Sequence, residues 1–423
     1  MSATQENSGY ELGGSDDVEI LLTIASEIVH IGGICDAVYL GVSEHTIEKL
    51  GSGRYGIYDD DFSDSLGEFA SARTVEAVNN QMEGFGAKME NLANLQSKKG
   101  DENDSKWEEI DGAFFADWGV SYRDILRLLY SCYLLAMKLK CSVVELTERD
   151  FLEGIIDICP ELNTDIIKKG LEHLTLDKRK DYLTPPEGMP VREIFPWIYN
   201  RELSYLRRPI VRWQMADGVK LIYGFRACLA AGIQLTDLLF SGRLRKGGDR
   251  LEKLLGKFES SKGATFNGEV RRWLQENTAL NVWGHDISMK PKGNLKASND
   301  LGDIDVLAYD SITNVVYSIE CKNTNTAKNV REMKKEMDDY LGRDEKKKGA
   351  LVLKHLNRHK WLLDNIDKVR DFVGAKTNPI VKSMMLTSEV IPTSYLRKEE
   401  TPLSILNFQE LKRKGVAYLH GVK

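Results

Sequence analysis

The chain has 423 residues, 42% hydrophobic and 29% charged, enough for sizeable cores and two or three domains. It shows no run of about 18 apolar residues and no basic-then-apolar leader, so neither a membrane span, a membrane partner nor a secretory signal is expected. Six cysteines without a C-x-x-C pair argue against a zinc site and read as reduced thiols of a cytoplasmic protein.

Residues 1–15 are polar and read as a flexible leader. Asp16 and Glu19 open a helix of capping-box type, with Val18, Leu21, Leu22, Ala25, Ile28 and Val29 at helical spacing, and Gly32-Gly33 is expected to end it. Residues 41–75 read as loop with a short helix, and 98–105 as a charged linker. From 107 to 173 the pattern is helical. Ile125, Leu128, Leu129, Cys132, Leu135, Ala136 and Leu139 form one stripe of a helix from Tyr122 to Lys140, and further helices follow at Glu145–Cys159 and Asn163–Leu174. The acidic, mostly helical domain is therefore bounded at 16–175, with Pro185-Pro186 in the boundary that follows.

A connecting region, 190–260, begins with a hairpin. Pro209–Met215 and Val219–Phe225 flank an Asp-Gly turn, and a helical stretch follows, with a basic loop at 243–250. The C-terminal domain is bounded at 261–423. Its elements are a helix at Thr265–Glu276 with Asn267 as N-cap, a strand within Ala279–Ser288, two strands at 302–309 and 315–322, a helix at Ala327–Leu341, a strand at Gly349–Leu353, an amphipathic helix at Lys360–Val373 and a strand at Ile380–Leu386. Trp273, Trp283 and Trp361 fall at apolar positions and read as core. His355 and His359 read as surface or cap histidines, lacking a third ligand nearby in sequence.

The centre of the chain's chemistry is Gly302-Asp303-Ile304-Asp305-Val306-Leu307-Ala308-Tyr309 followed by Val315-Val316-Tyr317-Ser318-Ile319-Glu320-Cys321-Lys322. A polar turn at 311–314 makes them a hairpin in which Asp310 faces Val315 and, by continuation, Asp305 faces Glu320. Strict alternation then puts Asp303, Asp305, Glu320 and Lys322 on one face and Ile304, Val306, Ala308, Tyr317, Ile319 and Cys321 on a core face. Paired carboxylates repel unless a cation lies between them, and oxygen donors of this kind suit Mg²⁺ or Mn²⁺. Charge agrees with a nucleic-acid partner. Residues 1–240 hold 24 Lys+Arg against 40 Asp+Glu, whereas 241–423 hold 34 against 24, so the half with the hairpin is basic.

Asp305 with Glu320-Cys321-Lys322 resembles the PD-(D/E)XK, or restriction-endonuclease-like, nuclease superfamily, over roughly residues 262–390. Ile304 stands where that family's motif has proline, which leaves Asp303 as a rival to Asp305. The resemblance implies an α/β C-terminal domain with a mixed central β-sheet flanked by helices, preceded by a mainly α-helical N-terminal region. It implies a Mg²⁺-dependent endonuclease, DNA being the favoured substrate, with Asp305, Glu320, Lys322 and Glu269 as catalytic residues. Asp305, Glu320 and the Cys321 carbonyl would be metal ligands. Arg245, Lys246, Lys328, Lys334, Lys335 and Lys346, Lys347, Lys348 are the candidate phosphate contacts. The acidic N-terminal region loosely resembles accessory regions of bacterial defence nucleases, and reads as a regulatory or sensing part and a candidate surface for a protein partner or homo-oligomer. Two alternatives compete: an inactive nuclease-fold module that binds nucleic acid or scaffolds a complex, and a nucleotidyltransferase using Asp303 and Asp305. The second lacks the Gly-Ser or Gly-Gly pair upstream and leaves Lys322 without a role.

Overall fold

The structure, a computed structural model, describes residues 15–58, 61–95, 102–179, 181–198, 200–215, 218–244, 248–325, 327–341 and 351–421. In chain order the elements begin with α1 (Ser15–Tyr39), β1 (Thr46–Lys49), β2 (Tyr55–Tyr58), α2 (Phe62–Leu95), α3 (Glu102–Trp118), α4 (Tyr122–Leu139), β3 (Val143–Thr147), α5 (Glu148–Ile158), α6 (Thr164–Leu174) and β4 (Thr175–Leu176). Then come β5 (Ile210–Met215), β6 (Gly218–Gly224), α7 (Phe225–Phe240), α8 (Asp249–Asn277), β7 (Asn281–Val282), β8 (Ile287–Ser288), β9 (Asp303–Ile304), β10 (Val306–Asp310) and β11 (Val315–Lys322). The chain closes with α9 (Val330–Leu341), α10 (Leu351–Asp364), α11 (Ile366–Val373), β12 (Ile380–Thr387), α12 (Thr393–Leu396), β13 (Ser404–Asn407), α13 (Phe408–Lys414) and α14 (Ala417–His420).

Two units result, one of residues 1–33 and 97–259, the other of 34–96 and 260–423. This differs from the division read from the sequence, where 16–175 formed one domain and 190–260 a connector. The reason is long-range and polar. Buried Glu76 on α2 accepts the Val390 N–H at 2.9 Å and the Asn407 side-chain amide at 3.0 Å, and Ala37 and Val42 pack with Met337. Residues of the 34–96 stretch thus complete the C-terminal core.

In the first unit, helices pack on a sheet of order β3-β6-β5-β4. The α4 stripe reads correctly over most of its length. Ile125, Leu128, Leu129, Cys132, Leu135 and Ala136 are buried, whereas Leu139 is exposed at the helix end. Side-chain oxygens of Ser121, Thr147 and Asn163 accept N–H groups in the first turns of α4, α5 and α6, satisfying donors that a helix start leaves open.

Helix α1 departs from two expectations. It runs through Gly32-Gly33 to Tyr39, and a side chain at Gly32 would run into the Trp197 ring, so this glycine serves close packing and not helix termination. Its residues Asp16–Tyr39, with a mean hydropathy of 1.7, are long and apolar enough to cross a membrane by length and composition. Its exposed Leu22 and Ile24 alternate with polar Glu19, Thr23, Glu27 and His30.

The second unit is organised on a five-stranded mixed sheet of order β13-β12-β11-β10-β7. β10 pairs antiparallel with β11 from Val306↔Ile319 to Asp310↔Val315, β12 lies parallel to β11, and β13 parallel to β12. Both faces are covered. Val306, Ala308, Tyr317, Ile319 and Cys321 pack with Phe266, Val270 and Leu274 of α8 and with Phe408 and Leu411. Leu307, Tyr309 and Val316 pack with Leu362 of α10 and with Val369 and Val373 of α11.

Local differences follow from this two-sided cover. The strand expected at Gly349–Leu353 belongs, from Leu351 onward, to α10. Val352 and Leu362 are buried and Leu353 is exposed, the spacing of a helix face and not of a strand. The strand expected within Ala279–Ser288 is split into β7 and β8, and the helix expected to start at Asn267 is the second half of the continuous α8. The tail after Glu389, unassigned from sequence, supplies the edge strand β13 and its flanking helix.

Candidate functional site

The strand entering the hairpin bends at Asp305, between β9 and β10. That bend breaks the alternation. Ile304 turns to the face of Leu307 and Tyr309, opposite to Val306 and Ala308. Asp303 pairs with Ser288 of β8, where its carboxylate meets Lys290 at 3.4 Å, and so it does not stand opposite Lys322 as strict alternation required.

Asp305 is held at the bend from two sides. Its Oδ2 accepts the Cys321 N–H at 2.8 Å, tying it to β11, and its carbonyl accepts an N–H of Arg271 at 2.8 Å. Arg271 also donates to the Gly284 carbonyl at 3.2 Å and pairs with Asp286, so one α8 guanidinium braces the bend and the β7–β8 turn together. Burial first, then the nearby Glu320 carboxylate, pushes the Asp305 carboxyl up to about 6; Lys322 and the Cys321 N–H act in the opposite direction.

Glu320 lies on the face that α10 covers and is only 7% exposed. Lys322 Nζ sits 2.7 Å from its Oε1, and Arg358 of α10 donates to its Oε2. His355, one turn before Arg358 and fully buried, has its Nδ1 3.9 Å from Oε2, and burial pushes this ring down to about 4. It is therefore neutral in the fold at ordinary pH. A buried carboxylate between two cations is stable only while both remain, because losing one strands a charge away from water. Cys321 keeps its thiol in the apolar core on the other face, and burial pushes that thiol well up.

Asp305, Glu320 and Lys322 are thus gathered at one end of the hairpin. Glu269 is exposed on α8, and among the described residues no hydrogen bond or ion pair joins it to the cluster. Among the described residues no three His, Cys, Asp or Glu side chains are grouped as metal ligands. Lys334 is paired with Asp338 at 2.5 Å, the Lys328 N–H is given to Glu332 at 3.0 Å, and Lys335 is exposed. Arg245, Lys246 and Lys346–Lys348 lie outside the described residues.

Sequence reading missed Arg358, His355, Arg271 and Asp286. One signal was available. His355 falls at the helical position between Val352 and Leu362 on an apolar stripe, and a polar residue on such a stripe marks a partner inside the core. Reading the start of α10 as a strand concealed it.

These features describe a mixed α/β protein whose central sheet carries a buried acid–lysine–arginine cluster. The family model of Upx-like anti-phage proteins matches residues 3–404, and the chain belongs to that family. It is accordingly a protein of antiviral defence. No curated protein and no solved structure matches the chain.

Proposed function

We propose that the unit of residues 34–96 and 260–423 is a metal-dependent nuclease on a restriction-endonuclease-like fold, and that it cuts phosphodiester bonds of invading nucleic acid, DNA before RNA. The helical N-terminal region would sense or regulate. The observation that carries this reading is Asp305: a carboxyl at the bend, pushed up by burial and by a second carboxylate, beside a lysine. A site of this kind gains from a bound cation. The donor set, two carboxylates from adjoining strands, fits Mg²⁺ or Mn²⁺ in type and charge.

Asp305 and Glu320 would hold the ion, with the Cys321 carbonyl as a further ligand by resemblance. When bound, such an ion supplies Lewis-acid polarisation of a scissile phosphate. Lys322 would hold the attacking water and offset charge developing on the phosphorus centre. Arg358 fixes the second Glu320 oxygen, and Arg271 fixes the backbone under Asp305.

Incubating plasmid, linear duplex, single strands and RNA with Mg²⁺ or with EDTA tests this. At least one substrate should be cut, only with the metal. Lys322→Ala or Asp305→Ala should slow cleavage by about 10²-fold or more while leaving nucleic-acid binding nearly unchanged, and Lys322→Ala should also lower the melting temperature, because buried Glu320 then loses one of its two cations. Cleavage at the wild-type rate by either variant would refute the assignment.

One observation favours a second reading, a non-cleaving module that binds nucleic acid or scaffolds a complex. Both Glu320 oxygens already face cations, so the cluster can serve as an internal ion pair. That reading expects nucleic-acid binding without cleavage and no change of melting temperature on adding Mg²⁺.

A further inference from the structure

The connection between β8 and β9, residues 289–302, has no part in the chemistry assigned to Asp305, Glu320 and Lys322, yet it is built as a fixed platform. Its Met289, Leu295 and Ala297 are buried in the same core as Ile304 and Leu362. The Asn294 side-chain oxygen accepts the Ser288 N–H and the Ser288 hydroxyl, both at 2.9 Å, and the Ser288 oxygen accepts the Asn294 N–H at 3.1 Å. At the stem, the Met289 N–H is given to the Gly302 carbonyl and the Leu301 N–H to the Met289 carbonyl. A side chain at Gly293 would run into the Ser288 carbonyl, so the turn closes only on glycine.

What this frame turns outward is basic. Lys292 and Lys296 are exposed, and among the described residues neither has a carboxylate within ion-pair distance. Lys296 has a φ of 48°, a left-handed backbone that glycine or asparagine adopts more readily, and a lysine stands there all the same. The acids nearby are engaged within the fold. Asp300 accepts the Gly302 N–H at 2.9 Å, Asp303 meets Lys290 at 3.4 Å, and Asp286 pairs with Arg271. The loop also adjoins the acid cluster. It runs through Gly302 and Asp303 into Asp305, and a Cβ at Gly302 would lie 3.3 Å from Nη1 of Arg358, the guanidinium that holds Glu320. Asp305 and Glu320 repel an approaching phosphate, and Lys322 is already spent on Glu320. Cations on the adjoining loop offset that repulsion.

We propose that the β8–β9 loop is a docking element for a nucleic-acid backbone, with Lys292 and Lys296 holding phosphates that flank the Asp305 cluster. The inference rests on reading that cluster as a nucleic-acid site, and it names the surface that positions the polymer there. Lysine meets phosphate as a point charge, so these contacts set register and affinity and read no base sequence. Each phosphate so neutralised releases counterions, which makes the loop's share of binding measurable through salt.

Binding of the full chain to a labelled DNA duplex, the matching RNA duplex and a DNA single strand is measured over a salt series in EDTA, where nothing is cut. The double variant Lys292→Gln/Lys296→Gln should weaken at least one of these complexes about tenfold near physiological salt and reduce the slope of log K against log salt by about 2. Its melting temperature should equal that of wild type, both side chains being exposed. Lys292→Arg/Lys296→Arg should bind as wild type, and Lys168→Gln, at an exposed lysine of the first unit, should leave the slope as it is. A slope unaltered in the glutamine pair overturns the proposal, as does a wild-type chain that binds none of the three. So does a loss seen only toward vesicles of phosphatidylserine and phosphatidylcholine, which would make a lipid surface the partner. Cleavage with Mg²⁺ is scored separately. A wild type that binds without cutting, its slope lost in the glutamine pair, strikes the nuclease reading and leaves the docking loop. A wild type that cuts while the glutamine pair keeps its slope strikes the docking loop alone.

Discussion

The molecule contains two antiparallel hairpins of similar length whose surroundings differ. In the β5–β6 hairpin burial alternates along β6, with Leu221 and Tyr223 inside, and the charged residues lie toward solvent. There Arg212 meets Asp177 at 3.0 Å and Lys220 meets Glu145 at 3.8 Å, in pairs that water screens. In the β10–β11 hairpin every strand residue is buried until Lys322, because α8 covers one face and α10 with α11 the other. The first hairpin's Arg212 and Lys220 need no buried counter-charge. In the second, Glu320 persists only because Arg358 and Lys322 meet it. The difference teaches that a charged residue acquires meaning from the number of covered faces around it, and not from its strand alone.

The largest test of this contrast is removal of one cation from each hairpin. Arg358→Ala leaves Glu320 buried with half its compensation and should destabilise the C-terminal unit by about 3–5 kcal/mol, read as a lowered urea midpoint. Arg212→Ala should cost under about 1 kcal/mol. Equal losses for the two variants would erase the distinction.

A smaller effect concerns Glu336 of α9, whose Oε1 accepts the Thr393 hydroxyl at 2.8 Å and its N–H at 3.3 Å. Burial pushes this carboxyl up from 4.5 to about 7. The folded form keeps its proton to higher pH than the unfolded chain, so the contribution of Glu336 to stability is greatest below about 4.5 and falls as pH rises to about 7. The total change should be on the order of 3 kcal/mol. Urea midpoints for Glu336→Gln across this range should show a smaller slope than wild type, Asp305 supplying a remainder, and a slope unchanged from wild type would remove Glu336 as its source.

The smallest effect expected is on nucleic-acid affinity. Exposed Lys335→Ala should reduce the slope of log K against log salt by about 1 on any duplex that binds. The equivalent change at Lys138, in the first unit and paired with Asp157, should leave that slope as it is.

The sequence by itself determined the short-range features. Turn chemistry set the register from Asp310↔Val315, apolar spacing set α4 and most of its buried stripe, and the types of side chain set the acid–lysine chemistry at the hairpin's end. Tertiary structure decided the rest. It bent the strand at Asp305, turned a short apolar run into the start of α10 that brings Arg358 to Glu320, and drew Glu76 to a backbone N–H 314 residues away. The physical reason is range. Periodicity and turns are fixed by neighbours a few residues apart, whereas compensation of a buried charge depends on whichever distant group the folded chain brings to it.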